Sequence, residues 1–113
     1  LQQKLKSKGL PWELAKAFDS SAAVGKFVTL APDANVQQMN FELKLNDITV
    51  QQGNTADMLF GVNKIIEYVS KFFTLNIGDL IYTGTPAGVG PVAVYDKLTG
   101  FLNGEQLLEV DIR

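Results

Sequence analysis

The side chains here that could do chemistry are few: the ammonium of Lys16, the hydroxyls of Thr83 and Thr85, and the carboxylates of Glu109 and Asp111. The chain has no histidine and no cysteine. A Ser-His-Asp triad, a His-ligated metal, a thiolate site and a disulfide framework are therefore excluded within it. Acid–base work must come from carboxylates, lysine, tyrosine, water or another segment.

The two threonines lie in Leu80-Ile81-Tyr82-Thr83-Gly84-Thr85-Pro86-Ala87-Gly88-Val89-Gly90-Pro91. Its apolar opening predicts a strand, and its glycines, threonines and prolines predict a stiff loop after it. Gly84, Gly88 and Gly90 can take φ > 0 or let a ligand come close to the backbone. A rigid loop of small donors at a strand end suits a binding site, and equally a stiff turn with no ligand. It is not a phosphate-binding P-loop, since no lysine follows before Lys97. Nor is it a dinucleotide fingerprint, since Val92, Ala93 and Val94 read as extended chain rather than helix.

Lys16 sits between Leu14, Ala15, Ala17 and Phe18. Such flanks suit a surface lysine with its stem laid along apolar residues, or a partly buried ammonium aimed at an anionic oxygen. Glu109 and Asp111 are two apart in a predicted strand and share a face. That pair could ligate a hard divalent cation, but Val110 and Ile112 on the other face make a solvated polar face the simpler expectation.

These groups need a scaffold, and 113 residues suffice for one domain, residues 1–113, with a core. A net charge of -2 argues for neither nucleic acid nor an anionic membrane. No apolar run approaches a membrane span. The missing cysteines fit a cytoplasmic location. Leu1 and Leu5 share a helical face that Gly9 would end, so the chain opens inside a helix and is expected to be a fragment.

Phe41-Glu42-Leu43-Lys44-Leu45 alternates with period two, Asn46-Asp47 is a turn, and Ile48-Thr49-Val50-Gln51 returns, which predicts a hairpin. Val62, Ile65, Ile66, Val69, Phe72 and Phe73 recur at spacings of three and four, predicting the main helix over residues 61–73 with its apolar stripe in the core. Asn103-Gly104 predicts a second hairpin turn, leading into a final strand at residues 107–112. The expected fold is mostly β with one main helix.

Three segments are distinctive: Lys8-Gly9-Leu10-Pro11-Trp12-Glu13-Leu14-Ala15-Lys16-Ala17-Phe18-Asp19, Gly53-Asn54-Thr55-Ala56-Asp57-Met58-Leu59-Phe60, and Gly78-Asp79 running into the glycine loop. In order and spacing the chain resembles the C-terminal part of the fumarylacetoacetate hydrolase family, in its acylpyruvase, oxaloacetate tautomerase or decarboxylase, and dienedioate isomerase branch. The resemblance implies the C-terminal portion of a mixed β-sandwich roll, a homodimer and a Mg²⁺ or Mn²⁺ site. It implies a small-molecule 2-oxo acid or 1,3-dicarbonyl substrate that undergoes carbon–carbon bond hydrolysis, decarboxylation or keto–enol isomerisation. Lys16 falls on the family's active-site lysine. Thr85, with Gly84 before it, falls on a substrate-binding position, Gln2 on a glutamine near the substrate, and Ser20 where some members place a threonine near the metal. The family's metal ligands, a Glu-x-Glu pair and an aspartate, are expected upstream of Leu1, and so are the acid–base groups of its lid. No metal ligand is assigned in this chain, which is expected to be inactive by itself. Tyr95-Asp96 departs from the usual Gly-Asp. The alternative is a non-catalytic remnant that serves packing or dimerisation.

Overall fold

Two asparagine-led turns shape the sheet. Asn46 and Asp47 have φ of 50° and 66°, and Asn103 and Gly104 have φ of 49° and 85°. Positive φ at both central residues gives turns whose twist matches that of the flanking strands. In the computed structural model, which describes residues 1–113, the first turn joins β1 (Asn40–Leu45) to β2 (Ile48–Asn54). The second joins β3 (Lys97–Leu102) to β4 (Glu105–Asp111). Antiparallel pairing of β1 with β3 merges the hairpins into a four-stranded sheet, order β2-β1-β3-β4.

The register sorts the side chains. Phe41 faces Leu102, Leu45 faces Leu98, and Leu98 faces Val110, which makes one face apolar. Glu42, Lys44, Thr99 and Glu109 line the other. There the Lys44 ammonium lies 4.9 Å from the Phe101 ring centre, and Lys97 Nζ lies 2.9 Å from Glu109.

Each edge strand carries one unpaired residue. Gln51 pairs with Leu43 and Thr49 with Lys44, leaving Val50 as a bulge in β2. Leu108 pairs with Gly100 and Gln106 with Phe101, leaving Leu107 as a bulge in β4. A bulge bends the strand and re-aims its neighbours. The Leu107 carbonyl accepts from the Lys26 amide at 2.7 Å, with Gly25 packed against the same carbonyl.

Helix α1 (Gln2–Lys6) is short, and Gly9, at φ 62°, turns the chain beyond it as predicted. The main helix α2 (Val62–Val69) is shorter than residues 61–73. Gln37 reaches its start from outside: Oε1 accepts from the Val62 amide while Nε2 donates to Thr55 O at 2.9 Å. Past Val69 the backbone continues in single turns to Phe73. Lys71, four residues after Glu67, pairs with it at 3.4 Å.

Two expectations need correction. Val62, Ile65 and Val69 are only half-buried, Ile66 is 41% exposed and Phe73 67%, and no hydrophobic residue of the chain is fully buried. The stripe is real, but α2 lies off the sheet and meets no second apolar layer within these residues. A radius of gyration of 15.9 Å exceeds the roughly 13 Å of a compact domain of this length. Residues 80–82, expected as a strand, make no ladder bonds. They run beside residues 23–27 across a cavity of about 250 Å³. Apolar β-formers become a strand only where a partner backbone is free, and here the Lys26 amide is engaged by β4.

No helix is long and apolar enough to cross a membrane.

Candidate functional site

The bulge at Val50 brings Gln51 to bear on the glycine loop. Its Nε2 donates to Thr85 Oγ1 at 2.9 Å, to the Pro86 carbonyl at 3.2 Å and to the Ala87 carbonyl at 3.3 Å. Two of these acceptors are carbonyls, so only the NH₂ side of the amide can face them. Beside them Gly88, at φ 101°, lies against the Val50 carbonyl, where any Cβ would overlap the oxygen. Residues 80–92 take part in no backbone–backbone hydrogen bond. The loop is therefore held by one side-chain amide and one glycine contact.

The loop presents the predicted groups outward. Thr85 is exposed, with its oxygen accepting from Gln51. A hydroxyl that accepts still has its proton to donate. Gly84, at φ 94°, has open space where a Cβ would stand. A ligand can reach the backbone there.

Lys16 lies at the end of a single 3₁₀ turn, Glu13–Ala15, and its amide donates to Glu13 O at 2.8 Å. Of the two readings its flanks allow, the surface lysine is the one seen within residues 1–113: Lys16 is exposed. Its flanks fail to bury it because they are themselves exposed, Leu14 by 75% and Phe18 by 61%. Its ammonium makes no ion pair. Gln2, half-buried at the start of α1, and Lys16 make no hydrogen bond to residues 83–86. The structure thus unites Thr85 and Gly84 in one loop and leaves Lys16 and Gln2 on separate elements. Ser20, at φ 63°, stands in a turn where the Ser21 hydroxyl accepts from the Phe18 amide.

The carboxylates do not make a metal site. Glu109 is bound by Lys97 at 2.9 Å and by Gln106 Nε2 at 3.0 Å, and these bonds hold its carboxyl below the usual range. Glu109 in turn raises Lys97. No group of three or more acidic residues converges anywhere in the chain. A hard cation needs several fixed oxygens, so the residues present do not fit one.

Gln51 is the loop-binding residue that sequence reasoning missed. The signal was the pair Gln51-Gln52: strand alternation puts one of them on the face of Leu43. Which one depends on the bulge.

Residues 1–113 match the model of the C-terminal region of the fumarylacetoacetate hydrolases along their whole length. The chain belongs to the fumarylacetoacetate hydrolase family. Among its family relatives is the oxaloacetate tautomerase of Escherichia coli, 44% identical over 108 residues, 95% of this chain and 49% of that protein. The mitochondrial oxaloacetate tautomerase of Homo sapiens is 43% identical over 92% of this chain and 47% of its own. Fumarylpyruvate hydrolase from Pseudomonas aeruginosa, solved with Mn²⁺ and pyruvate, is 32% identical with a TM-score of 0.89, over 99% of this chain and 48% of that one. The chain thus spans about half the length of the fumarylacetoacetate hydrolase relatives it matches, and its fold is the C-terminal portion of theirs.

Proposed function

We propose that residues 1–113 form the C-terminal part of the catalytic unit of an enzyme acting on small 2-oxo acids or 1,3-dicarbonyl acids. Keto–enol tautomerisation of oxaloacetate is the favoured reaction, because the relatives of that name share 43–44% identity against 32% for fumarylpyruvate hydrolase. Hydrolysis or decarboxylation beside the same carbonyl builds up a similar enolate. The observation that carries the proposal is the loop geometry. Thr85 keeps a free proton beside an open Gly84 backbone, on a loop tied to the sheet.

Thr85 would donate to a substrate oxygen and fix its orientation. Lys16, an ammonium with no partner in the chain, would supply positive charge to the oxygen that gains negative charge as the enolate forms. Gln2 would add a neutral contact to the substrate. Mg²⁺ or Mn²⁺ belongs to the whole protein in this proposal, held by residues outside this chain. A homodimer and a cytoplasmic location complete the proposal.

A second function has one observation in its favour. Every hydrophobic residue is at least partly exposed, as in a chain whose role is to pack against another surface. Kinetics of the intact protein on oxaloacetate and an acylpyruvate separate the two. Lys16→Met keeps the stem and removes the charge, and it should cut kcat by roughly a hundred- to a thousand-fold with the melting temperature preserved. Thr85→Val should raise KM more than it lowers kcat. A folded Lys16→Met protein with near-normal kcat makes Lys16 a surface residue and favours the packing role.

A further inference from the structure

We infer that Gln51 is a positioning residue that fixes Thr85 as a hydrogen-bond donor toward an anionic substrate oxygen. The inference rests on the proposed substrate role of Thr85 and adds what controls it. A free threonine hydroxyl can donate or accept, and nothing in its own chemistry selects between them. Gln51 selects: its Nε2 occupies an acceptor site on Thr85 Oγ1 at 2.9 Å, which leaves the proton. The amide cannot turn over to offer its oxygen, because the Pro86 and Ala87 carbonyls require the NH₂ side.

The same amide is a tether. Residues 80–92 have no backbone–backbone hydrogen bond of their own, so the Gln51 NH₂, its two protons shared among three acceptors, is the hydrogen-bonded tie of the loop to the sheet. The Val50 bulge makes this reach possible, because it shifts Gln51 by one residue relative to regular alternation and turns the Val50 carbonyl toward Gly88. A loop that presents a donor in fixed orientation binds an anionic oxygen without first losing the freedom of a mobile chain.

The test uses the intact protein carrying this chain, with Gln51→Leu and Gln51→Glu. Leucine removes the donor. Glutamate keeps the shape, cannot donate when ionised, and draws the Thr85 proton to itself. Backbone order parameters at Gly84, Thr85, Ala87 and Gly88 should fall in both variants from about 0.85 toward about 0.6. KM for oxaloacetate should rise about tenfold, the loss of one oriented hydrogen bond, with kcat changing much less. A folded Gln51→Leu protein with unchanged order parameters overturns the inference whatever its kinetics. If the leucine variant fails to fold, the same comparison is made with the isosteric glutamate. Lowered order parameters with unchanged KM overturn the donor role of Thr85 and leave Gln51 as a tether only. If the parent protein turns over neither oxaloacetate nor an acylpyruvate, the proposed function fails, and the order parameters still decide whether Gln51 holds the loop.

Discussion

Gly88 packs its backbone directly against the carbonyl of Val50, the one unpaired residue of β2. Gly25 does the same to Leu107, the unpaired residue of β4. Both edge strands thus turn a bulged carbonyl outward, and both are met there by a glycine of a flanking loop. The absence of a side chain is what lets the loops come so close.

Three alanine substitutions in the intact protein separate the demands on the glycine loop. Gly90→Ala meets open space at an ordinary φ and should leave the melting temperature nearly unchanged. Gly84→Ala meets open space at φ 94° and should read backbone strain alone, about 1–2 kcal/mol. Gly88→Ala adds overlap with Val50 to φ 101° and should be the most damaging, on the order of 3 kcal/mol or more. Equal melting of the Gly84→Ala and Gly88→Ala proteins would mean that the loop lifts off β2 at little cost.

Tyr95 offers the opposite experiment. It holds φ 74°, a left-handed conformation, with 92% of its surface exposed. Its amide donates to Ile112 O at 2.8 Å, which keeps the backbone in that conformation. Tyr95→Gly gives up almost no side-chain packing and relieves the strain. It should stabilise the protein by about 1 kcal/mol, read as a raised denaturant midpoint. A lowered midpoint would show that the tyrosine ring makes a contact worth more than the strain.

Much of this was legible in the sequence. The turns Asn46-Asp47 and Asn103-Gly104 could be read because asparagine, aspartate and glycine are the residues that tolerate positive φ. Their strands alternate as a half-buried sheet must. Of Gly84, Gly88 and Gly90, each read as able to take positive φ, Gly84 and Gly88 do so and Gly90 does not. The Val50 bulge could not be read, since one extra residue leaves no mark in an alternating pattern, and Gln51 was lost with it. The flanks of Lys16 allowed both a surface and a partly buried ammonium, and within this chain it is exposed. Apolar neighbours record that something is covered, not whether the cover lies within the same residues.

Acid should weaken the sheet at two carboxylates. The Ala93 amide and the Asn46 side chain bind Asp96 at 2.7 Å and 2.8 Å and hold its carboxyl below the usual range. Lys97 and Gln106 do the same for Glu109. A depressed folded-state value contributes stability above the unfolded value, about pH 4, which is lost as pH falls through the folded one. Lys97 runs the other way, raised by Glu109, so its contribution is complete below the unfolded value, about pH 10.4, and is lost as pH climbs through the folded one. In a protein with Asp96→Ala and Glu109→Gln, the drop in melting temperature between about pH 6 and about pH 3 should be shallower. An unchanged slope would place the acid sensitivity elsewhere.

Metal affinity of residues 1–113 by themselves should be weak or absent. Titration calorimetry with Mn²⁺ on this chain checks it, and Glu109→Gln should change nothing. Micromolar binding that depends on Glu109 and Asp111 would mean that the cation displaces Lys97.

The β1–β3 seam has a consequence for how the chain folds. Each hairpin is closed by two residues, so β1–β2 and β3–β4 can form on the microsecond scale of isolated hairpins. Joining them requires Leu45 to find Leu98 across the whole of α2 and the glycine loop. Closing so long a loop carries its entropy cost before any seam contact is made. The lock at the end of the seam, where Asn46 bonds Asp96 at 2.8 Å and exchanges backbone and side-chain bonds with Lys97 at 2.9 Å, should therefore set late, after both hairpins exist. Substitutions at Asn46 that spare its turn should speed unfolding far more than they slow folding.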